Sequence, residues 1–147
     1  MTRLTVERRI AAPPAAVFDW LTDVSNYVQT RTVIRARRTK DGEGALYGVG
    51  AIREITAVGA WFRESITHYD RPNEFRYLIV ESIPAIEHRG GSVQLTPFEN
   101  GTHVTWTTEY ELPLRSGGAL LAAAIAPILE RSFRSILAAA DRSLTRR

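Results

Sequence analysis

The chain contains no cysteine, which excludes disulfide frameworks, thiolate zinc sites and cysteine nucleophiles. Histidine is scarce as well. His68, His88 and His103 stand at spacings that match no metal motif, so neither a metal nor another cofactor is expected. Long apolar runs are missing: the longest, 117–129, holds 13 residues with Pro127 among them, against the roughly 20 needed to cross a bilayer. The opening MTRLTVERR turns polar at once and lacks the apolar core of a signal peptide. A cytoplasmic location is the expectation. There is no internal repeat, low-complexity tract or Pro/Ser-rich linker. What is present is 147 residues, 44% hydrophobic and 24% charged, the profile of one soluble domain over 1–147.

Charge is modest in total, at +3, and uneven in distribution. Eighteen of the 19 basic residues are Arg, Lys40 being the exception, a bias that reads as genomic rather than functional. Residues 31–40 carry five cations and no anion, and 115–147 carry six Arg against Glu130 and Asp141, whereas 51–114 hold five basic and nine acidic residues. Such basic stretches can meet phosphates or an anionic membrane. Here the cations of 31–40 alternate with Thr, Val, Ile and Ala rather than with aromatics, the pattern of a solvated strand edge. The same reading makes the C-terminal arginines a solvated helix face. No nucleic-acid partner is expected, and the chain is read as a monomer or homodimer.

Residues 2–11 alternate as a strand that Pro13-Pro14 stops, and Pro14 can open a helix through Val17, Phe18 and Leu21. Asp23 reads as the N-cap of a second short helix to about Tyr27. Strands are predicted at 31–39, 49–56, 60–69, 74–82, 88–97 and 102–112, with Gly, Pro, Asn and Asp in most gaps. Short connections make this an antiparallel meander and the fold class α+β. The last segment changes period. At 100° per residue, Leu121, Ile125, Ile128, Leu129, Phe133, Ile136, Ala140 and Leu144 share one arc, predicting a long amphipathic helix laid on the sheet. Pro127 is expected to kink it.

Strand parity sorts the side chains into two faces. It points Phe62, Glu64, Ile66 and His68 inward, with Val104, Trp106, Thr108 and Tyr110. It also places Phe75, Tyr77, Ile79, Glu81 and Ile83 inside, and sets Gly91 across from Tyr110, leaving space there. A hairpin turn centred on Val58-Gly59 puts Arg53 opposite Glu64 on the inner face and Glu54 opposite Arg63 on the outer one. Two complementary pairs in one register support that register. The inner pair is costly to desolvate. It is either a structural ion pair fixing the sheet or a polar anchor in a pocket wall.

ERRIAAPPAAVFDWLTDVSNY (7–27), GVGAIREI (48–55), GAWFRESITHYDRPNEFRY (59–77) and GTHVTW (101–106) together resemble the SRPBCC superfamily of START and birch-pollen-allergen-like proteins, in its bacterial polyketide cyclase/dehydrase-like branch. The resemblance implies a helix-grip fold: a seven-stranded antiparallel sheet wrapped around a long C-terminal helix, with an apolar cavity between them. It also implies binding of lipids, sterols or polyketides, and in some members cyclisation or dehydration of polyketides. Arg53 and Glu64 match the inward Arg and Glu of the third and fourth strands. At Asn26-Tyr27 the chain departs from the Tyr-Pro-Glu-Trp common in relatives.

No nucleophile-elbow motif, P-loop or convergent ligand set is present. The expected function is therefore binding of a hydrophobic small molecule, as carrier or sensor. The alternative is a polyketide cyclase/dehydrase-type enzyme using Glu64 and Arg53. The expected lining of an enclosed cavity is Trp20, Arg53, Phe62, Glu64, Ile66, Tyr77, Ile79, Trp106, Tyr110, Ile125 and Leu129. Ser132 falls in the apolar arc of the helix, where it can face a ligand or bond back to Ile128.

Overall fold

The computed structural model describes residues 2–145. Met1, Arg146 and Arg147 lie outside the described residues, and with them the last two cations of the 115–147 stretch. Strand β1 (Thr2–Ile10) leads into helix α1 (Pro14–Thr22), which has Pro in its first turn, where a missing N–H costs nothing. Asp23 ends α1 and caps the next segment by accepting from the Ser25 N–H, as expected. That segment, Val24–Gln29, is a 3-10 helix and runs two residues past the predicted end. The meander follows: β2 (Val33–Lys40), β3 (Ile52–Ala57), β4 (Ala60–Asp70), β5 (Glu74–Ile83), β6 (Glu87–Phe98) and β7 (Gly101–Glu111). A short 3-10 turn (Leu114–Ser116) introduces α2 (Gly118–Leu144).

The seven strands form one antiparallel sheet in the order β1-β7-β6-β5-β4-β3-β2. Helix α2 packs on β1 and β7 and touches α1, so the helices cover one face. This is the helix-grip arrangement. The β3–β4 register is the expected one, with Arg53 facing Glu64 and Glu54 facing Arg63. The outer pair extends to Glu81, which Arg63 also binds. Such exposed pairs contribute little.

Glu81 was expected inside and lies outside. The reason is a register shift: Arg63 pairs with Glu81 and Glu64 with Ile79, so Val80 is an extra residue and parity flips beyond it. Ile83 is accordingly exposed. A second shift, between Ile66 and His68, takes His68 to the rim beside Glu74 instead of inward. Gly91 pairs with Thr108, while Tyr110 pairs with His88. Nor is space left at Gly91, since a Cβ there would fall 2.1 Å from Cζ of Tyr77, whose ring already fills it.

Helix α2 corrects the sequence reading along half its length. Ile136, Leu137, Ala139 and Ala140 are buried, but Leu121 and Ile128, expected against the sheet, are exposed. Residues 117–129 carry no charge, so their pattern of apolar side chains has no phase to reveal which side is covered. The choice falls to Ala122, whose carbonyl accepts from the Tyr110 hydroxyl at 2.8 Å and whose small side chain admits that ring. Ser132 meets Thr32, their hydroxyl oxygens 3.3 Å apart, rather than a ligand space or Ile128.

Candidate functional site

On the helix-covered face, where β3 meets β4, lies the Arg53–Glu64 pair, with Arg53 1% and Glu64 6% exposed. Arg53 donates from Nε and Nη2 to the same oxygen, Glu64 Oε1, at 3.2 and 2.6 Å. Its Nη1 donates to the carbonyls of Thr22 (3.1 Å) and Leu21 (3.5 Å). Those are the last carbonyls of α1, which have no partner within their own helix and sit at its negative end. Arg53 thus clasps α1 to the sheet. The rings of Tyr27, Phe75 and Tyr77 surround the guanidinium, each centroid 5.7 Å away. Burial alone would lower the Arg53 pKa, but the Tyr27 phenol and the Glu64 carboxylate outweigh it and the net direction is up. Burial also pushes the Tyr27 phenol up to about 12, and burial together with Glu64 raises Tyr77.

The guanidinium is therefore occupied by protein acceptors. Glu64 is not saturated in the same way, since both of its bonds from Arg53 fall on Oε1. Among the described residues no fully buried side-chain oxygen or nitrogen lacks a partner. Oε2 takes no hydrogen bond from the described residues and is therefore not fully buried.

Around this pair the interior is aromatic and packed. Trp106 donates its indole N–H to the Tyr77 hydroxyl (2.9 Å) and stacks on Phe133 of α2, with centroids 4.3 Å apart. Tyr27 stacks on Trp20 and donates to the carbonyl of Leu21 at 2.6 Å. His88 lies flat on Tyr77 (5.5 Å, 17°). Its Nδ1 accepts from the Ile79 N–H at 2.9 Å, so its proton sits on Nε2, 2.7 Å from Thr108 Oγ1. Burial pulls the His88 pKa down to about 4, leaving a neutral ring.

The expected lining divides between two clusters. Trp20, Arg53, Glu64, Ile66, Tyr77 and Trp106 come together in the first, with Ile79 packed at its side. Tyr110 belongs to a smaller cluster with Leu4, Leu112 and Ala122, and half-buried Ile125 and Leu129 pack against it. Phe62, half-buried, pairs with Ile55 on the same sheet face as Glu64. Two open cavities flank this interior. A pocket of about 240 Å³ borders the small cluster at Thr2, Glu111, Leu112, Ala119 and Ala122. A groove of about 500 Å³ runs along the opposite face of the sheet, edged by Arg3, Arg76, Arg89 and Glu109. The interior has a packed aromatic end and a thinly covered apolar end. Sequence reasoning missed His88, because the shift between His88 and Gly90 turns an outward parity inward. It missed the contact of Tyr27 with Arg53 because a 3-10 segment carries no periodic signal.

The family model for polyketide cyclase / dehydrase and lipid transport matches residues 1–143. The chain belongs to that family. Solved structures of similar fold include the Thermus thermophilus protein TTHA0849 (21% identity, TM-score 0.76, 97% of both chains covered). A START superfamily protein from Mycobacterium smegmatis aligns at 10% identity and TM-score 0.75, over 97% of this chain and 99% of that one. The di-domain ARO/CYC StfQ of the steffimycin biosynthetic pathway aligns at 19% identity and TM-score 0.66, over 97% of this chain and 44% of that one. At these identities the likeness is one of fold. No curated protein matches the chain in sequence. Within this cyclase/dehydrase and lipid transport family member, no group of three or more His, Asp or Glu among the described residues is placed to hold a metal ion. No helix among them is long and apolar enough to cross a membrane.

Proposed function

We propose that the protein binds a hydrophobic small molecule carrying a hydroxyl group, as a carrier or sensor, on the helix-covered side of the sheet. The observation that carries this reading is the asymmetry of the Arg53–Glu64 pair. Arg53 spends its donors on protein, while Glu64 Oε2, in a largely apolar setting, still has acceptor capacity. A ligand hydroxyl would satisfy it, whereas a ligand carboxylate would meet a like charge. Half-buried Phe62, Ile79, Ile125 and Leu129 supply the apolar wall. The family description supports the same class of ligand.

The test is titration of the protein with a long-chain fatty alcohol and with the fatty acid of equal length, followed through tryptophan fluorescence. The alcohol should bind saturably and more tightly than the acid, and Leu129→Gln should weaken it. Absence of saturable binding by either probe would overturn the reading. The cyclase/dehydrase alternative uses the same Oε2 as a proton acceptor. Native mass spectrometry of protein purified from its own host separates the two: a retained ligand released unchanged supports a carrier or sensor. A retained ligand converted on incubation, with turnover lost in Glu64→Gln, supports an enzyme.

A further inference from the structure

The solvent face of α2 changes character along its length. At 100° per residue, Leu120, Ala123, Ala124, Pro127 and Ile128 fall on the arc opposite the buried one, and all are exposed. Leu120 is 88% and Ile128 66% exposed, and Leu114, in the turn just before the helix, is 93% exposed. The same arc continues into Arg131, Arg134 and Arg142, also exposed. Of the nearby acids, Glu130 pairs with Arg134 and Asp141 with Arg8. The face is apolar for its first three turns and cationic beyond them. Isolated exposed leucines are ordinary, but a contiguous uncharged helix face next to a row of cations marks an interaction surface.

We propose that this end of the molecule docks on an anionic lipid surface, with Leu114, Leu120 and Ile128 entering the acyl boundary and Arg131, Arg134 and Arg142 meeting the headgroups. The occupant follows from the charge pattern. A second copy packed on the same face would bring its own arginines and no unpaired row of acids to meet them, whereas an anionic membrane offers apolar depth and negative charge together. Because the division runs along the helix rather than around it, α2 enters tilted, its N-terminal end deepest. The surface adjoins the pocket at Ala119 and Ala122, so docking sets the thinly covered end of the interior against lipid. Docking through this face does not depend on which ligand the interior holds.

The test uses the full chain with sucrose-loaded vesicles of phosphatidylcholine alone and of phosphatidylcholine mixed with phosphatidylglycerol. Co-sedimentation should favour the anionic vesicles by at least about tenfold and weaken as salt rises. The double variant Leu120→Asp, Ile128→Asp should lose at least about tenfold in vesicle binding while melting like the parent, since both sites are exposed. Arg131→Glu should weaken binding mainly at low salt. No sedimentation of the parent, or equal sedimentation of parent and double variant, would overturn the proposal. So would a concentration-dependent dimer that the double variant dissolves, which would assign the face to a second copy.

Discussion

The two clusters on the helix-covered side of the sheet are built from similar side chains and behave as different materials. Around Arg53, every packed element contributes a bulky ring or a tied polar group. The guanidinium ties β3 to β4 and to the end of α1, Trp106 stacks on Phe133, and Tyr77 fills the gap left by Gly91. Around Tyr110 the helix offers Ala122, Ile125, Ala126 and Leu129, and only Leu4, Tyr110, Leu112 and Ala122 are buried. One end is held by directional bonds as well as by area. The other relies on modest apolar contact and on the Tyr110–Ala122 hydrogen bond. Stability thus concentrates at the C-terminal half of α2 and the strands around Arg53, and the N-terminal half of α2 is left as the element most easily displaced.

The largest effect that would expose this difference comes from placing an acid on each half of α2. Ile136→Asp buries a charge without a partner and should leave no cooperative folded state by circular dichroism. A wild-type-like melt of that variant would remove the distinction between the halves. Next in size is Glu64→Gln, which leaves Arg53 buried with no counter-charge. Urea denaturation should show a loss of about 3 kcal/mol. A near-neutral result would mean that water reaches the pair and that the aromatic end is as loosely covered as the other.

His88 sits where the two regions meet and supplies a pH signature. Its folded pKa, near 4, lies below the 6.5 of an unperturbed histidine. Between those values the unfolded chain therefore binds more protons than the folded one. Stability should be full above about pH 6.5 and fall as pH drops toward 4, by on the order of 2–3 kcal/mol from this group. Protonation of Nδ1 would also break the bond from the Ile79 N–H. Thermal melts of parent and His88→Gln across this range check it: if both lose stability with the same slope, the histidine is not its source. The smallest effect belongs to Leu120→Asp, which should change stability by no more than about 0.5 kcal/mol, because the side chain stands in solvent. A large loss there would show that the apolar start of α2 is covered after all.

Much of this arrangement was legible in the residues. The alternation of β4 and β7, the Val58-Gly59 turn and two complementary charge pairs located Arg53 against Glu64 without any three-dimensional information. What escaped were local departures from regular geometry. The extra residue at Val80 and the shift beside Gly90 each reverse parity, and a period of two carries no mark of where it slips. That is why Glu81 moved outside and His88 inside. The division of the expected lining into a packed and an open part was equally hidden, since Trp106, Tyr110 and Leu129 look alike as apolar positions in a pattern.

The sequence by itself determined the elements, their order, the sheet register at its charged hairpin and the burial of Ile136 and Ala140. Those follow from short-range rules: turn chemistry, the two periodicities and the pairing of opposite charges across neighbouring strands. Only the tertiary structure decided which oxygen of Glu64 Arg53 would take, which carbonyls would claim its remaining donors, and which side of an uncharged helix start would face water. Each of those outcomes depends on how elements far apart in the chain share one volume. In that volume a ring such as Tyr110 or Tyr77 excludes everything but the smallest neighbour.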